Sequence, residues 1–287
     1  MTFMYLTFGE KSEYHVQAYL SMLSFRRQTS PGDRIVMVTT APQFYRRASS
    51  WVEVIELSPS QVAAWKGRHQ YMFRVKTMAM KHYADEHPGE DLLFVDTDTF
   101  LSGRLDELRG VLGQGCGLMH KDEGSPADMK GSSLRMWRNV EGREYAGFRI
   151  NRQHHMWNSG IVGMPAAKVQ NIVGDTLLLL DGMLDDGVKS FNIEQYAMSV
   201  AMTEHLTVEA AEPWVAHYWG NKDEWERAIQ DFMLRAYVQD WTLDDELQAV
   251  DELLSRHIPI FVHRSNTARR LNKLVEKLFP DRDYCYF

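Results

Sequence analysis

Cysteine is almost absent from this chain, with two cysteines among 287 residues. Cys116 and Cys285 stand in unrelated sequence contexts. A single pair of this kind cannot form a disulfide framework, and it supplies too few ligands for a structural zinc site. We therefore expect the protein to work in a reducing compartment, the cytosol.

Long apolar runs are also absent. A membrane-spanning helix needs about 20 consecutive apolar residues, and no stretch of the sequence approaches that length. Residues 1–8 contain neither a basic leader nor a cleavage site typical of a secretory signal. We expect a cytoplasmic protein, and its hydrophobic content of 44% is sufficient for a large folded core.

An excess of positive charge is lacking as well. Lysine and arginine number 32 against 39 aspartate and glutamate residues, which gives a formal net charge of −7. This balance argues against a general polyanion binder, and we expect no nucleic-acid partner. It is compatible with a local cationic groove for phosphate.

The most informative stretch is an apolar run over residues 92–101 that is interrupted by Asp96 and Asp98. Its length and its polar flanks predict a buried central strand of a parallel sheet. Ligands of such sheets gather at the carboxyl ends of the strands. Two carboxylates spaced two residues apart at a strand end can converge on one divalent cation. Plain acidic turns have the same spacing, so the pair alone leaves both interpretations open.

Apolar strand-like and helical stretches alternate along the chain, which predicts an α/β fold with a mainly parallel sheet flanked by helices. The long polar segment Lys121–Asn151 is predicted to be a functional or mobile loop. We place a main domain at residues 1–225 and a helical C-terminal appendage at residues 226–287. The predicted strands are Phe3–Phe8, Asp33–Thr40, Trp51–Leu57, Leu92–Leu101, Cys116–His120 and Ser159–Pro165, and the predicted helices are Tyr14–Arg27, Tyr71–Tyr83, Val169–Leu184 and Asn192–Thr203.

Several short motifs follow one another in a characteristic order. They are Tyr14 after the first strand, a helix with Arg74 and Lys76, Asp96-Thr97-Asp98, Trp157-Asn158-Ser159-Gly160-Ile161-Val162, Glu194-Gln195 and His217-Tyr218-Trp219-Gly220-Asn221-Lys222. From about Phe3 to Trp225 the chain thereby resembles the GT-A glycosyltransferases, and it is most similar to their family eight, the retaining galactosyl- and glucosyltransferases. The resemblance implies a Rossmann-like GT-A catalytic domain at 1–225. It also implies transfer of a hexose from a nucleotide-diphosphate sugar, UDP-glucose or UDP-galactose, to a glycan, a lipid-linked glycan or a protein.

The same resemblance implies a bound Mn²⁺ or Mg²⁺ with Asp96, Asp98 and His217 as ligands. Cleavage of a sugar–phosphate bond leaves a charged nucleoside diphosphate, which a divalent cation and cationic side chains stabilise. Lys222 is expected to meet the diphosphate, and Gly220 is expected to let the backbone approach it. We also expect residues 217–222 to close over the donor, with Lys222 gaining a partner only when phosphate is bound.

The remaining site residues are assigned by the same resemblance. Asn158, Glu194 and Gln195 are expected beside the sugar and its reacting carbon as catalytic residues. The family more often has Asp-Gln-Asp where this chain has Glu194-Gln195-Tyr196. The expected donor- and nucleotide-binding residues are Thr7, Phe8, Gly9, Tyr14, Arg74, Lys76, Asp96, Thr97, Asp98, Ser159, Gly160, Gly220 and Lys222.

Two other functions fit parts of the sequence. In haloacid-dehalogenase-like phosphatases an Asp-x-Asp motif follows an apolar strand, so Asp96 would be the nucleophile and Asp185-Asp186 the late acidic pair. That motif requires threonine or valine at the position of Phe100. The other alternative is a non-catalytic protein of the same fold that binds a sugar nucleotide.

The segment Arg264–Lys277 is basic and has leucines at helical spacing. Such a helix can lie on an anionic membrane, which would place the protein at the inner face of a membrane that carries a lipid-linked acceptor. The alternative is that its leucines pack on the domain and its charges face water.

Overall fold

The computed structural model describes residues 1–256, 258–262, 271, 274–275 and 278–279. Its strands are β1 (Thr2–Thr7), β2 (Arg34–Thr39), β3 (Glu53–Glu56), β4 (Leu92–Val95), β5 (Thr99–Leu101), β6 (Gly117–Asp122), β7 (Glu144–Tyr145), β8 (Phe148–Arg149), β9 (Trp157–Met164), β10 (Val208–Ala210) and β11 (Val215–His217). Its α-helices are α1 (Ser12–Arg26), α2 (Pro59–Trp65), α3 (Arg74–Glu86), α4 (Leu105–Gly113), α5 (Gly131–Val140), α6 (Val169–Asp185), α7 (Ile193–His205), α8 (Lys222–Val238) and α9 (Leu243–Leu254). Short 3-10 helices lie at Pro42–Ala48 and Pro126–Asp128.

Within the described residues, seven strands form one central sheet in the order β10-β6-β9-β4-β1-β2-β3. Neighbours among β1, β2, β3 and β4 pair in parallel, and so do β6 and β10. β9 runs antiparallel to both of its neighbours, β4 and β6. The prediction of an α/β fold with a mainly parallel sheet is confirmed. Because β9 is reversed, its first residues lie at the edge where β4 and β6 end.

Helices cover both faces of the sheet. Successive side chains of each strand point to opposite faces, so the strands contribute to two apolar layers. In β1, Met4 contributes to one layer, while Phe3 and Tyr5 contribute to the other. Residues of α3, α5, α6 and α7 complete the first layer. Residues of α1, α4, α8 and α9 complete the second.

The prediction that Lys121–Asn151 is one long loop is wrong. This segment contains the end of β6, the helix α5 and the β7–β8 hairpin. Met136, Trp137 and Val140 of α5 are buried in the core. Three buried apolar residues within a polar stretch give only a weak helical periodicity in the sequence. Tertiary packing, rather than the helix propensity of its residues, stabilises α5.

The last described helices pack against the start of the chain. α8 begins at Lys222, so the predicted boundary between 225 and 226 falls inside this helix, and the division into two domains stays a prediction. The carboxylate of Glu246 in α9 is buried and accepts hydrogen bonds from the Tyr19 hydroxyl at 2.7 Å and from Arg47 Nε at 2.6 Å. The C-terminal helices therefore share one core and one buried polar network with α1.

The predicted membrane-binding segment Arg264–Lys277 lies outside the described residues, apart from 271, 274 and 275. In the part of the chain that the structure describes, no helix is both long and apolar enough to cross a bilayer.

We expect Glu246→Ala to lower the free energy of unfolding by about 3 kcal/mol, because it leaves a buried hydroxyl and a guanidinium without their acceptor. Urea denaturation measures this change. Glu252→Ala, at an exposed position of the same helix, is the control and should change stability by less than about 0.5 kcal/mol. Equal stability of the two variants would show that the buried network does not anchor α9.

Candidate functional site

The carboxyl ends of β4 and β6 meet the first residues of β9 at one edge of the sheet. Asp96 directly follows β4, and its backbone N–H donates to the carbonyl of Gly160 at 2.9 Å. Asn158 and Ser159 occupy the second and third positions of β9. The reversed direction of β9 therefore brings two distant sequence motifs to one place.

A second, two-stranded sheet adds the late histidine. β5 pairs antiparallel with β11, and this pairing sets Thr99 opposite His217. The N–H of Tyr218 continues the ladder by donating to the Asp98 carbonyl at 3.0 Å. The backbone itself thus holds His217 beside Asp98.

The Asp98 carboxylate is buried between two cationic or ionisable partners. His217 Nε2 lies 3.2 Å from Oδ1, and Lys222 Nζ lies 2.7 Å from Oδ2. Burial acts to raise the pKa of Asp98, but the hydrogen bond and charge of His217 and the charge of Lys222 outweigh it and hold this pKa well below its ordinary value. The expectation that Lys222 finds a partner only when phosphate is bound is wrong, because α8 starts at Lys222 and directs it to Asp98.

Asp96 has a cationic partner of its own. Lys76, from the first turn of α3, places Nζ 3.2 Å from Asp96 Oδ1 and donates to the Ser159 carbonyl at 2.6 Å. The Lys76 ammonium also lies 4.5 Å from the centre of the Phe94 ring. Thr97, which separates Asp96 and Asp98 in the chain, is half-buried. Lys76 therefore joins the strand end of β4 to the start of β9.

Asp96, Asp98 and His217 could hold a divalent cation. One ligand atom from each lies within 4.8 Å of the other two. Two carboxylate oxygens and an imidazole nitrogen suit Mn²⁺, and the oxygens also suit Mg²⁺. The predicted metal ligands are thus brought together by the fold.

Glu194 is a second buried acid near this cluster. It lies in the first turn of α7 with 4% of its surface exposed, and its Oε1 has no hydrogen-bond partner among the described residues. Burial raises the pKa of Glu194 to about 7, while the charge of Lys76 lowers it and the charge of Asp96 raises it. A carboxyl group that titrates near neutrality therefore lies within electrostatic reach of Asp96.

The predicted catalytic amides, Asn158 and Gln195, meet at a residue that the sequence did not single out. Asn158 Nδ2 donates to Glu123 Oε1 and Gln195 Nε2 donates to Glu123 Oε2, both at 3.2 Å. Glu123 directly follows β6, inside the segment interpreted as a loop. The sequence could have indicated Glu123 by its position at the end of a strand, on the ligand-binding edge of the sheet. The predicted strand ends at His120, which assigns Glu123 to the loop instead.

His120 is a second residue that the sequence did not single out. Its ring stands perpendicular to the ring of His217, with centroids 5.0 Å apart, and its Nε2 lies 3.2 Å from the Val215 carbonyl. Burial lowers the pKa of His120 to about 4, and the charge of His217 acts in the same direction. His120 is therefore uncharged at neutral pH and packs against the ring of His217.

The predicted nucleotide-binding residues lie at the end of β1, beside β4. The Thr7 hydroxyl belongs to a buried polar network between the ends of β1 and β2. Gly9 has a φ of +71°, and its N–H donates to Thr40 Oγ1 at 2.8 Å. Phe8 is half-buried, and Tyr14 is 43% exposed at the start of α1. Because β1 and β4 are parallel, Thr7, Phe8 and Gly9 lie at the same edge of the sheet as the carboxylates, and Tyr14 follows in α1.

His15 braces this end of the site. Its Nε2 lies 2.8 Å from the Gly9 carbonyl, its Nδ1 lies 2.9 Å from the Tyr45 hydroxyl, and its ring stacks on Phe44 with centroids 4.0 Å apart. Burial lowers the pKa of His15, although its hydrogen bond with Gly9 opposes this effect. The aromatic pair of His15 and Phe44 had no recognisable sequence pattern.

Arg74 and Gly220 have other partners in this structure. The Arg74 guanidinium forms a bidentate pair with Asp181 of α6, at 2.8 and 2.9 Å, so the structure does not bring it to the carboxylates. A Cβ on Gly220 would overlap the ring of Phe261. The close packing of Phe261 therefore explains why residue 220 is a glycine, and approach of the backbone to a phosphate is not needed to explain it.

The acidic pair of the phosphatase alternative is also engaged elsewhere. Asp185 pairs with Arg68 and His69, and Asp186 pairs with Arg143 at the end of α6. Neither carboxylate is part of the cluster around Asp96. The geometry gives no support to a phosphatase site.

A cavity of about 530 Å³ adjoins the cluster. It lies between the strand ends and the segment 258–262, and its walls include His120, Glu123, Asn158, His217, Trp219 and Phe261. Trp219 and Phe261 are about half exposed, with ring centroids 5.4 Å apart. His217 thus borders a space with polar and aromatic walls.

No protein-family model matches the chain. No curated protein matches it either. Among solved structures, an active-site mutant of LgtC is 11% identical, with 74% of this chain and 73% of that chain covered and a TM-score of 0.50. The galactosyltransferase LgtC in complex with donor and acceptor sugar analogues is 10% identical, with 99% and 98% covered and a TM-score of 0.50. Mouse xyloside xylosyltransferase 1 in its apo form is 10% identical, with 73% and 85% covered and a TM-score of 0.46. The likeness to LgtC shows the fold, which is that of the GT-A glycosyltransferases.

We expect Gly160→Ala to weaken Mn²⁺ binding at least about tenfold. A Cβ at Gly160 would lie 2.5 Å from His217 Cε1 and Nδ1, so the imidazole must shift away from Gly160, and its Nε2 then leaves its present position beside Asp98 Oδ1. Titration calorimetry with Mn²⁺ measures the loss.

Gly174→Ala is the matched control. Nothing lies within 4 Å of a Cβ at this position in α6, so this variant should bind Mn²⁺ normally and gain about 0.5–1 kcal/mol of stability. Normal Mn²⁺ affinity in Gly160→Ala would mean that His217 is not a ligand.

We expect Glu194→Gln to stabilise the protein in a pH-dependent way. The folded protein keeps a proton on Glu194 up to about pH 7, whereas the unfolded chain releases it near the ordinary pKa of 4.5, so wild-type stability falls as pH rises between these values. The advantage of the variant should therefore be absent below about pH 4.5 and reach up to about 3 kcal/mol above pH 7. Urea denaturation at pH 4.5, 6 and 8 with a chelator measures it, and parallel pH profiles of the two proteins would contradict the raised pKa.

Proposed function

We propose that the protein is a metal-dependent glycosyltransferase of the family-eight type that transfers a hexose from UDP-glucose or UDP-galactose. The observation that carries this proposal is the convergence of Asp96, Asp98 and His217 at the carboxyl edge of a GT-A fold. Lys76 and Lys222 provide positive charge at the same place. A galactosyltransferase solved with donor and acceptor sugar analogues shares this fold.

The donor diphosphate lies against this cluster in the proposed complex. Asp96, Asp98 and His217 hold Mn²⁺ or Mg²⁺, which when bound supplies positive charge to the diphosphate oxygens as the sugar leaves. Lys222 shares its ammonium between Asp98 and a phosphate oxygen. The nucleoside extends along the end of β1, past Thr7, Phe8 and Gly9 to the exposed ring of Tyr14.

The proposed reaction retains the configuration of the anomeric carbon. The bond between this carbon and the diphosphate oxygen breaks, a bond to the acceptor oxygen forms on the same face, and the departing phosphate takes the acceptor proton. Glu194 positions the sugar, and Gln195 positions it and stabilises positive charge at the anomeric carbon. The raised pKa of Glu194 suits a group that holds the sugar by a hydrogen bond near neutral pH.

The acceptor enters through the cavity beside His217. Sugar faces stack on aromatic side chains, and Trp219 and Phe261 present such faces there. A glycan, a lipid-linked glycan or a glycosylated protein segment has this chemistry. Contact of Arg264–Lys277 with an anionic membrane, which would favour a lipid-linked acceptor, stays a prediction.

A panel of sugar nucleotides with Mn²⁺ tests this function, with release of the nucleoside diphosphate as the readout, because slow donor hydrolysis by water needs no acceptor. We expect turnover with UDP-glucose or UDP-galactose. Asp96→Asn and Asp98→Asn should each lower it at least about 100-fold, because each removes a charged ligand. Once an acceptor is found, the anomeric signal of the product in NMR reports retention.

Asp128→Asn, which removes an exposed carboxylate paired with Arg152, is the control for the loss of one negative charge. Circular dichroism checks that the variants are folded, which matters most for Asp98 because its loss leaves Lys222 and His217 without their partner. Normal turnover in Asp96→Asn would refute the metal site. Tight UDP binding without turnover of any donor would favour the non-catalytic alternative.

A further inference from the structure

Glu123 contacts both amide side chains of the candidate catalytic set. Its two carboxylate oxygens each accept one hydrogen bond at 3.2 Å, Oε1 from Asn158 and Oε2 from Gln195. The three residues come from different elements, since Glu123 follows β6, Asn158 lies in β9 and Gln195 lies in α7. Glu123 therefore connects side chains of β9 and α7 to the end of β6.

We propose that Glu123 is a positioning residue that fixes the orientation of the Gln195 amide, an inference that rests on the proposed glycosyl transfer. A carboxylate can only accept hydrogen bonds, whereas each face of an amide either donates or accepts. Glu123 therefore forces both amides to turn their NH₂ groups toward it. A reversed Gln195 amide would set its carbonyl oxygen against a negatively charged oxygen.

The fixed orientation decides which atom of Gln195 the donor sugar meets. With Nε2 bound to Glu123, the carbonyl oxygen is the end of the amide that is left for the sugar. An oxygen with free lone pairs accepts from a sugar hydroxyl and stabilises positive charge at the anomeric carbon, whereas an NH₂ group does the opposite. Glu123 thus acts on the reaction through Gln195.

The backbone of Gln195 is held independently of Glu123. The Ser199 hydroxyl accepts from the Trp157 N–H at 2.9 Å and donates to the Gln195 carbonyl at 2.7 Å. This hydrogen-bonded bridge fixes α7 against β9. Loss of Glu123 therefore releases the side chain of Gln195 while its backbone stays in place.

The same network reaches the candidate metal ligands. Asn158 Oδ1 accepts from the Gly160 N–H at 3.0 Å, and the Gly160 carbonyl accepts from the Asp96 N–H at 2.9 Å. A continuous chain of hydrogen bonds thus runs from Gln195 through Glu123, Asn158 and Gly160 to the end of β4. It sets the position of Gln195 relative to Asp96.

Glu123→Gln tests the proposal, because it keeps the size of the side chain but adds an NH₂ group that can face either amide. In donor hydrolysis with UDP-glucose or UDP-galactose and Mn²⁺, we expect kcat to fall about tenfold and the donor KM to change less than twofold. Glu123→Asp, whose oxygens also only accept, should recover part of kcat. Glu209→Gln removes an exposed carboxylate from the neighbouring strand β10, outside this network in the described chain, and should leave both constants unchanged.

NMR of the ¹⁵N-labelled side-chain amides provides a readout that needs no turnover. The NH₂ signals of Asn158 and Gln195, identified by their loss in Asn158→Ala and Gln195→Ala, should shift in Glu123→Gln and stay in place in Glu209→Gln. Unchanged NH₂ signals, or a kcat equal to that of Glu209→Gln, would overturn the proposal. A higher donor KM at unchanged kcat would also overturn it, since Glu123 would then be a donor contact. If wild-type protein turns over no donor, the proposed function fails, and the NH₂ signals still decide whether Glu123 orients the amides.

Discussion

The buried carboxylate of Asp98 is the constraint on which the site depends. A buried charge is costly unless it is paired, and Asp98 is paired on both of its oxygens. Both partners, His217 and Lys222, lie more than 100 residues after Asp98 in the chain. The β5–β11 ladder and the start of α8 therefore supply the two partners that a buried, ionised Asp98 requires.

The surroundings of two buried acids of the site, Asp98 and Glu194, shift their pKa values in opposite directions. Asp98 has the imidazole of His217 on one side and the ammonium of Lys222 on the other, and together they hold its pKa well below the ordinary value although burial acts to raise it. Glu194 is buried to a similar degree, and its Oε1 has no hydrogen-bond partner in the part of the chain that the structure describes. Burial raises the pKa of Glu194 to about 7, and the charge of Asp96 acts in the same direction. In the proposed reaction, the first acid suits a metal ligand and the second suits a group that holds a proton against the sugar.

The antiparallel direction of β9 organises the rest of the site. If β9 ran parallel to its neighbours, Asn158, Ser159 and Gly160 would start at the opposite edge of the sheet. In the observed direction Gly160 contacts the backbone of Asp96, and its missing side chain leaves room for His217. Ser159 receives Lys76, and Asn158 reaches Glu123. β9 thus contacts the residues around Asp96 and Asp98 and carries Asn158, which is linked to Gln195 through Glu123.

The sequence alone determined the α/β class and the placement of Asp96 and Asp98 after a buried apolar strand, because apolar runs and their polar boundaries are local signals. The single predicted strand Leu92–Leu101 is wrong, since the structure divides it into β4 (Leu92–Val95) of the main sheet and β5 (Thr99–Leu101), which pairs with β11. The order of motifs also indicated His217, Lys76, Lys222, Glu194 and Gln195. Only the tertiary structure decided the partners of these residues. Lys222 pairs with Asp98 without a phosphate, Arg74 is engaged by Asp181, and Phe261 fills the space beside Gly220, since each contact joins elements that are far apart in the chain. Glu123 and His120 escaped notice for the same reason: strand direction and sheet order place them, and neither property is encoded in the residues next to them.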